Sequence, residues 1–430
     1  MPPALSATLP SRNVPTPATA TTAATAAAIE PAGRISPRAA FFLLASITVS
    51  FLAGSSAPTP LYPLYQAQWG FSSAAITVIF GIYAVALLAA LLIGGRLSDH
   101  VGRRPVLIGA AAMQVAAMGL FIAADGLGDL IVARVVQGVS TGFAVAAVGA
   151  GMLDLDKLRG PLANAVAPPF GTALGGIAAG LMVHFLPQPT HLVYVVLALI
   201  FIAQGVGVAL MAEPSPPQPG ALASLRPRFS VPAATRQPLL IAIPVLIAAW
   251  SLAGFYAALG PTIVHGVLGL DSSLLGGIAL FVLAASGGTA VLLLQRFDPR
   301  SMMAAGSTAL LVGVGFTVLA LSMHSTLGFF LGTAMAGTGF GTAFQGAIRT
   351  VVPFARPHER AGVLSIIFVV SYVAMGTPAV LAGWWVARHG DILGTAEFFG
   401  AAVMALAAIA LAGTLLRMRR DARTVPAPGA

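Results

Sequence analysis

The sequence predicts an all-α membrane protein: twelve transmembrane helices in two pseudo-symmetric six-helix bundles, with both termini cytoplasmic. Three observations carry this. Apolar runs of about twenty residues, the length that crosses a hydrocarbon core as a helix, recur down the chain. The basic residues sort onto one side of these runs. An offset of 199 residues brings Gly70, Ser73, Asp99, Gly138 and Gly142 onto Gly269, Ser272, Asp298, Gly337 and Gly341, the mark of an internal repeat. With 57% hydrophobic and 8% charged residues, and a mean hydropathy of +0.91, a water-exposed surface cannot be furnished, so the solvent is lipid.

In chain order, residues 1–36 are rich in Ala, Thr and Pro without an apolar core. They read as a disordered cytoplasmic tail and not as a cleaved signal sequence. A first bundle, 37–212, holds spans near Ala39–Thr59, Ala74–Gly94, Val106–Ala124, Leu130–Leu153, Leu162–Phe185 and Leu192–Met211. Residues 213–237 carry six prolines and three arginines and suit an extended cytoplasmic linker. A second bundle, 238–416, holds spans near Leu239–Thr262, Leu274–Leu294, Met302–Met323, Gly328–Val351, Gly362–Val386 and Gly394–Leu416, followed by a cytoplasmic tail at 417–430. With the N-terminus inside, every Lys and Arg falls on the cytoplasmic side except Arg388, outside, and Arg134, within a span. The localisation expected is a multi-pass inner membrane protein. Parallel halves imply a pseudo-two-fold axis along the membrane normal and a solute site between them near mid-depth.

Several chemistries are set aside. The formal charge of +9 follows from topology and calls for no nucleic acid. No cysteine is present, so thiol chemistry is excluded. Five of the seven histidines, His184, His191, His265, His324 and His389, fall near outer span ends without paired-ligand spacing, so no metal site is expected. Gly138-Val139-Ser140-Thr141-Gly142 matches the hydrolase string Gly-x-Ser-x-Gly, but within a span it reads as helix packing. No catalytic residue is assigned. No Gly-x-x-x-x-Gly-Lys-Ser/Thr loop occurs, which argues against an ATP-driven motor.

Between spans two and three stands Gly95-Arg96-Leu97-Ser98-Asp99-His100-Val101-Gly102-Arg103-Arg104-Pro105. This closely resembles the loop signature Gly-x-Leu-x-Asp-x-x-Gly-Arg-Arg/Lys of the major facilitator superfamily, at the place where that family carries it. The resemblance implies alternating access between two rocking halves, with this loop as a cytoplasmic latch. Gly95 is expected to let spans two and eleven approach, Gly102 to make a tight turn, and Asp99 to face the amino end of span eleven near Ala361 and Gly362. Arg103, beside Arg104, is expected to pair with Asp154 or Asp156. The second copy, Gln295-Arg296-Phe297-Asp298-Pro299-Arg300, keeps the acid and loses the glycines.

Arg134-Val135-Val136-Gln137-Gly138 resembles the family's second signature, Arg-x-x-Gln-Gly. Arg134, Gln137 and Thr141 share one helix face. A charge inside a span faces a cavity or a partner, so Arg134 is a functional candidate, with a salt bridge to Asp129 or Asp125 as the structural alternative. Thr338, Thr342 and Gln345 form an opposing polar stripe in span ten. Gly171-Thr172-Ala173-Leu174-Gly175-Gly176 resembles, without its proline, the antiporter signature of the drug-exporting branch. Tyr83, Trp250, Tyr256 and Tyr372 fall near mid-span and are candidates to line an amphipathic pocket. Tyr62, Tyr65 and Trp69 read as interfacial belt residues.

The resemblance thus implies a secondary active transporter without a bound cofactor, driven by a proton gradient and acting as a monomer on a small molecule in the bilayer. The usual carboxylates of span one are absent, leaving Glu397, Asp129 and His184 as titratable candidates. Proton-coupled efflux of drugs or metabolites is the first reading. Uptake of a small metabolite, sugar or organic anion is the second, and a non-transporting receptor or scaffold the third.

Overall fold

The computed structural model describes residues 33–424 apart from 228, 230, 271, 272, 357 and 358. The expected N-terminal tail lies outside the described residues save for 33–36, and the last six residues also lie outside them. Twelve long helices follow in order: α1 Pro37–Ser56, α2 Ser73–Gly94, α3 Arg103–Ile122, α4 Leu127–Leu155, α5 Gly160–Phe185, α6 Pro189–Leu210, α7 Ala233–Gly266, α8 Ser273–Leu294, α9 Pro299–Ser322, α10 Thr326–Val351, α11 Arg360–His389 and α12 Ile392–Thr424. Among the described residues no strand occurs. In hydrocarbon every backbone N–H and C=O must be satisfied within the chain, and a helix does so locally. All twelve are long and apolar enough to span a membrane, so the protein is a multi-pass membrane protein.

The helix ends carry ordinary signals. Ser36 caps α1, its hydroxyl accepting from Ala39 N–H at 3.3 Å, with Pro37 at the first helical position. Asp298 caps α9 ahead of Pro299, and Ser325 caps α10. The first span is longer than its apolar run suggests. After Ser56 the chain turns through the 3-10 segment Thr59–Leu61 and continues as the helix Tyr62–Trp69, so Tyr62 and Tyr65 stay buried at 2% exposure each. This corrects the belt reading of those two tyrosines. Tyr65 bonds the Tyr194 hydroxyl at 3.2 Å and stacks on Trp69.

Each half has its own core. Leu44, Phe51, Phe121, Tyr194 and Phe201 anchor the first, and Phe255, Leu310, Phe329 and Phe399 the second. The second core also takes in Phe80, Tyr83 and Leu87 from α2, so it crosses the boundary between halves. The repeat is visible in packing. A Cβ on Gly138 would meet Tyr83 O at 2.7 Å and one on Gly142 would meet Leu87 O at 2.5 Å, seating α4 on α2. Gly337 and Gly341 seat α10 on α8 against Leu283 and Gly287 in the same way. Gly70 and Gly269 share left-handed backbone, at φ 69° and 65°.

An even number of spans places both ends of the described chain on one face, here called the termini face. Toward the opposite face the halves touch along two seams. Thr77 and Gly81 of α2 meet Gly383 and Val380 of α11, and Gly176 and Gly180 of α5 meet Gly277 and Leu274 of α8. The Thr59 hydroxyl donates across the boundary to Ala257 O at 3.1 Å.

Candidate functional site: a loop latch and a buried arginine

On the termini face, the short helix Leu97–Val101 ends at Gly102, whose φ of 98° and ψ of 157° suit only glycine. The turn delivers Arg103 to the start of α3 at 5% exposure. Its Nη1 donates to Ser98 Oγ at 2.6 Å and Asp99 Oδ1 at 2.5 Å, and its Nε to Asp154 Oδ2 at 3.0 Å. Asp154 is therefore the partner. Asp156 serves a separate turn after α4, where the backbone N–H groups of Arg159 and Leu158 both bond its carboxylate and hold it below the usual carboxylate range. Asp99 is engaged by Arg103, within its own half. Gly95 does not mediate the approach of α2 to α11, because a Cβ there would meet Leu91 O of its own helix. That approach is made at Gly81, Gly376 and Gly383.

A residue that the sequence did not single out completes this loop. Glu213, at the start of the linker, accepts the backbone N–H of Arg103 at 2.6 Å and of Arg104 at 3.0 Å. It thereby caps the positive end of α3. Arg104 in turn donates to the carbonyls of Val208 and Ala209 at the end of α6. Gln218 N–H bonds His100 O at 2.8 Å, and His100 Nδ1 lies 2.9 Å from Pro219 O. The linker's first residues are thus stitched to the loop. The second copy is built differently: Asp298 only caps α9, while Arg349 donates to the carbonyls of Gln295 and Phe297.

Arg134 is fully buried about two turns inside α4. Its Nε and Nη2 donate to the Tyr62 hydroxyl at 3.2 and 2.5 Å, and its Nη1 to Ser55 O at 2.9 Å and Gln137 Oε1 at 2.7 Å. All are neutral, so the salt-bridge alternative fails: Asp129 instead accepts the Asp125 N–H at 3.0 Å. Gln137 Nε2 donates to Gly54 O at 3.0 Å, and Thr141 bonds back to Gln137 O at 2.8 Å. The guanidinium carbon stands 5.1 Å from the Tyr83 ring centroid.

Tyr83 is buried, and its hydroxyl has no hydrogen bond. The Ser55 and Thr141 hydroxyls lie nearby and donate to Leu52 O and Gln137 O. Trp250 sits 5.1 Å from Tyr372 and 5.2 Å from Phe344, ring to ring, and its buried Nε1 also lacks a partner. Tyr83 and Tyr372 are buried in one core cluster, and Trp250 packs against it. These three aromatics come from both halves. Tyr256 does not join them; it bonds Thr333 Oγ1 at 2.8 Å and stacks on Phe329 within the second half. Thr338 turns back to Met335 O, and Thr342 is buried against its own helix, while Gln345 stays half-exposed. The hydrolase-like Ser140 donates to Ala110 O at 2.7 Å, joining α4 to α3.

Twelve spanning helices in repeated halves, with a shared aromatic interface and a basic loop on the termini face, mark a polytopic membrane protein. Residues 44–377 match the family model described as Major Facilitator Superfamily, and the chain belongs to that family. It is similar to "Multidrug resistance protein MdtL" of Klebsiella pneumoniae (strain 342), 27% identical over 77% of this chain and 85% of that protein. It is also similar to "Cephamycin export protein CmcT" of Amycolatopsis lactamdurans, 26% identical over 80% of this chain and 70% of that one. Among solved structures, the human organic anion transporter MFSD10 aligns with a TM-score of 0.63 at 17% identity, covering 89% of this chain and 99% of that one. A point mutant of the nucleoside transporter NupG aligns with a TM-score of 0.64 at 13% identity, covering 87% and 99%. Membership makes the protein a transporter and not an enzyme.

Proposed function

We propose that the protein is a proton-coupled exporter of small organic compounds in the inner membrane, working by alternating access with its termini in the cytoplasm. The observation that carries the reading is the interface of Tyr83, Trp250 and Tyr372, largely apolar and contributed by both halves. Parting the halves would open aromatic faces and an unmet indole N–H to a solute. The basic loops of the termini face support the orientation. The MdtL and CmcT names support export as the direction. Coupling would be carried by groups near span ends, such as Glu397, which accepts the Ser322 hydroxyl at 3.0 Å, or Asp129.

The test is flux of aromatic solutes in proteoliposomes of defined orientation, with and without a pH gradient. Accumulation on the opposite-face side that rises with an inward proton gradient is expected. Uptake that ignores the gradient, or movement only toward the termini face, contradicts the reading.

A further inference from the structure

Arg134 is a charge without a counter-charge. Among the described residues, Arg134 is the charged side chain with no exposure at all, whereas Asp129 and Glu397 lie within two turns of helix ends. A guanidinium has five N–H groups. Four bonds are made, to Tyr62 twice, Ser55 and Gln137, which leaves one Nη2 N–H unmet. Beside it stands a second unmet donor, the Tyr83 hydroxyl, on the ring over which the guanidinium sits. Both residues are more than nine-tenths buried. Buried donors ordinarily find acceptors, and among the described residues neither of these is bonded to a carboxylate.

We infer that Tyr83 and Arg134 form the anion-recognising end of the solute site, and that the preferred cargo is an aromatic organic anion: a carboxylate or sulfonate on a flat ring system. The inference rests on the transport reading above and specifies its substrate class. The carboxylate would accept from the Tyr83 hydroxyl with the Arg134 charge behind that ring. The ring system would lie against Trp250 and Tyr372, which pack together in the second half and share a buried cluster with Tyr83. Coulomb attraction over roughly 5–7 Å at an effective dielectric of about 20 favours an anion and disfavours a cation. After the anion's own desolvation, a preference on the order of tenfold over a neutral isostere is expected.

The probes are three compounds of one shape: 1-naphthoate, 1-naphthamide and 1-naphthylmethylammonium. Their binding to purified protein and their flux in proteoliposomes are measured side by side. The naphthoate is expected to bind about tenfold tighter than the amide and the ammonium least. In Tyr83→Phe, which keeps the ring and removes the hydroxyl, the naphthoate advantage over naphthamide is expected to fall several-fold, while the melting temperature holds. Equal affinity for all three, a preference for the ammonium, or an unchanged preference in Tyr83→Phe overturns the inference and leaves transport standing. Binding of naphthoate without flux of any probe counts against the transport reading and supports the anion site.

Discussion

Replacing Gly277 by alanine is expected to weaken closure of the face opposite the termini without unfolding the protein. A Cβ at this position of α8 would stand 2.5 Å from Gly176 O and 3.4 Å from Gly180 Cα of α5, backbone atoms of the other half. No flexible side chain is there to yield. Overpacking of this kind costs about 1–3 kcal/mol. Because the contact exists only while the halves meet on this face, parting relieves the strain. The closed-to-open ratio should therefore fall by roughly 5- to 150-fold relative to wild type. The chain has no cysteine, so Thr59→Cys, at a site 1% exposed between the halves, supplies a single reporter in an unaltered background. Labelling by a membrane-impermeant maleimide from the opposite face is expected to accelerate in the Gly277→Ala background. Gly109→Ala, where a Cβ meets nothing within 4 Å, serves as a control with no acceleration. Equal labelling rates in all three backgrounds would refute the argument that this glycine seam is the closure.

Tyr62→Phe strands two N–H groups of a buried guanidinium and should cost about 1.5–3 kcal/mol, read as a lower melting temperature in detergent; an unchanged melting temperature contradicts the assignment. Glu213→Gln turns one oxygen into a donor facing a backbone N–H and should cost about 1–2 kcal/mol, with faster protease cleavage in 213–225 as the local signature. Asp99→Asn removes an ion pair whose acid is 47% exposed, so it should lose under about 0.5 kcal/mol of stability. Transport is nevertheless expected to fall, and normal flux in a folded variant would remove Asp99 from the latch.

The spans were legible because lipid leaves hydropathy and helix length as one signal. The loop was legible at Gly102 and Arg103 because a left-handed turn and a burial-competent cation leave few residue types able to serve. Glu213 was not legible, since its bond joins residues 110 apart in sequence and its Pro-rich surroundings read as an extended linker. Tyr62 was misread because Pro58, Pro60 and Pro63 look like the end of a span, whereas the chain carries its helical course through them. Grouping Tyr256 with Trp250 overlooked helix geometry: six residues turn a helix by about 240°, so the two side chains leave α7 on different faces. Arg134 was found by its cost in lipid, and Gln137 on its own face was visible with it, but its other neutral partners lie in α1 and in the helical extension after it, and no local pattern announces those.

The two seams between halves are related by the repeat, α2 with α11 and α8 with α5, yet they are not equally stiff. At the first, Gly81 faces Val380 Cγ2 and Gly383 faces the Thr77 side chain. Those atoms can change rotamer as the halves rock. At the second, Gly277 and Gly176 bring backbone against backbone, where a side chain can be added only by moving a helix. On the alternating access proposed above, rocking would pivot on the adjustable seam and close on the rigid one. This asymmetry is why alanine at Gly277 should shift the conformational equilibrium, whereas Val380→Ala on the other seam should mainly loosen packing and leave the labelling rate of Thr59→Cys near its wild-type value.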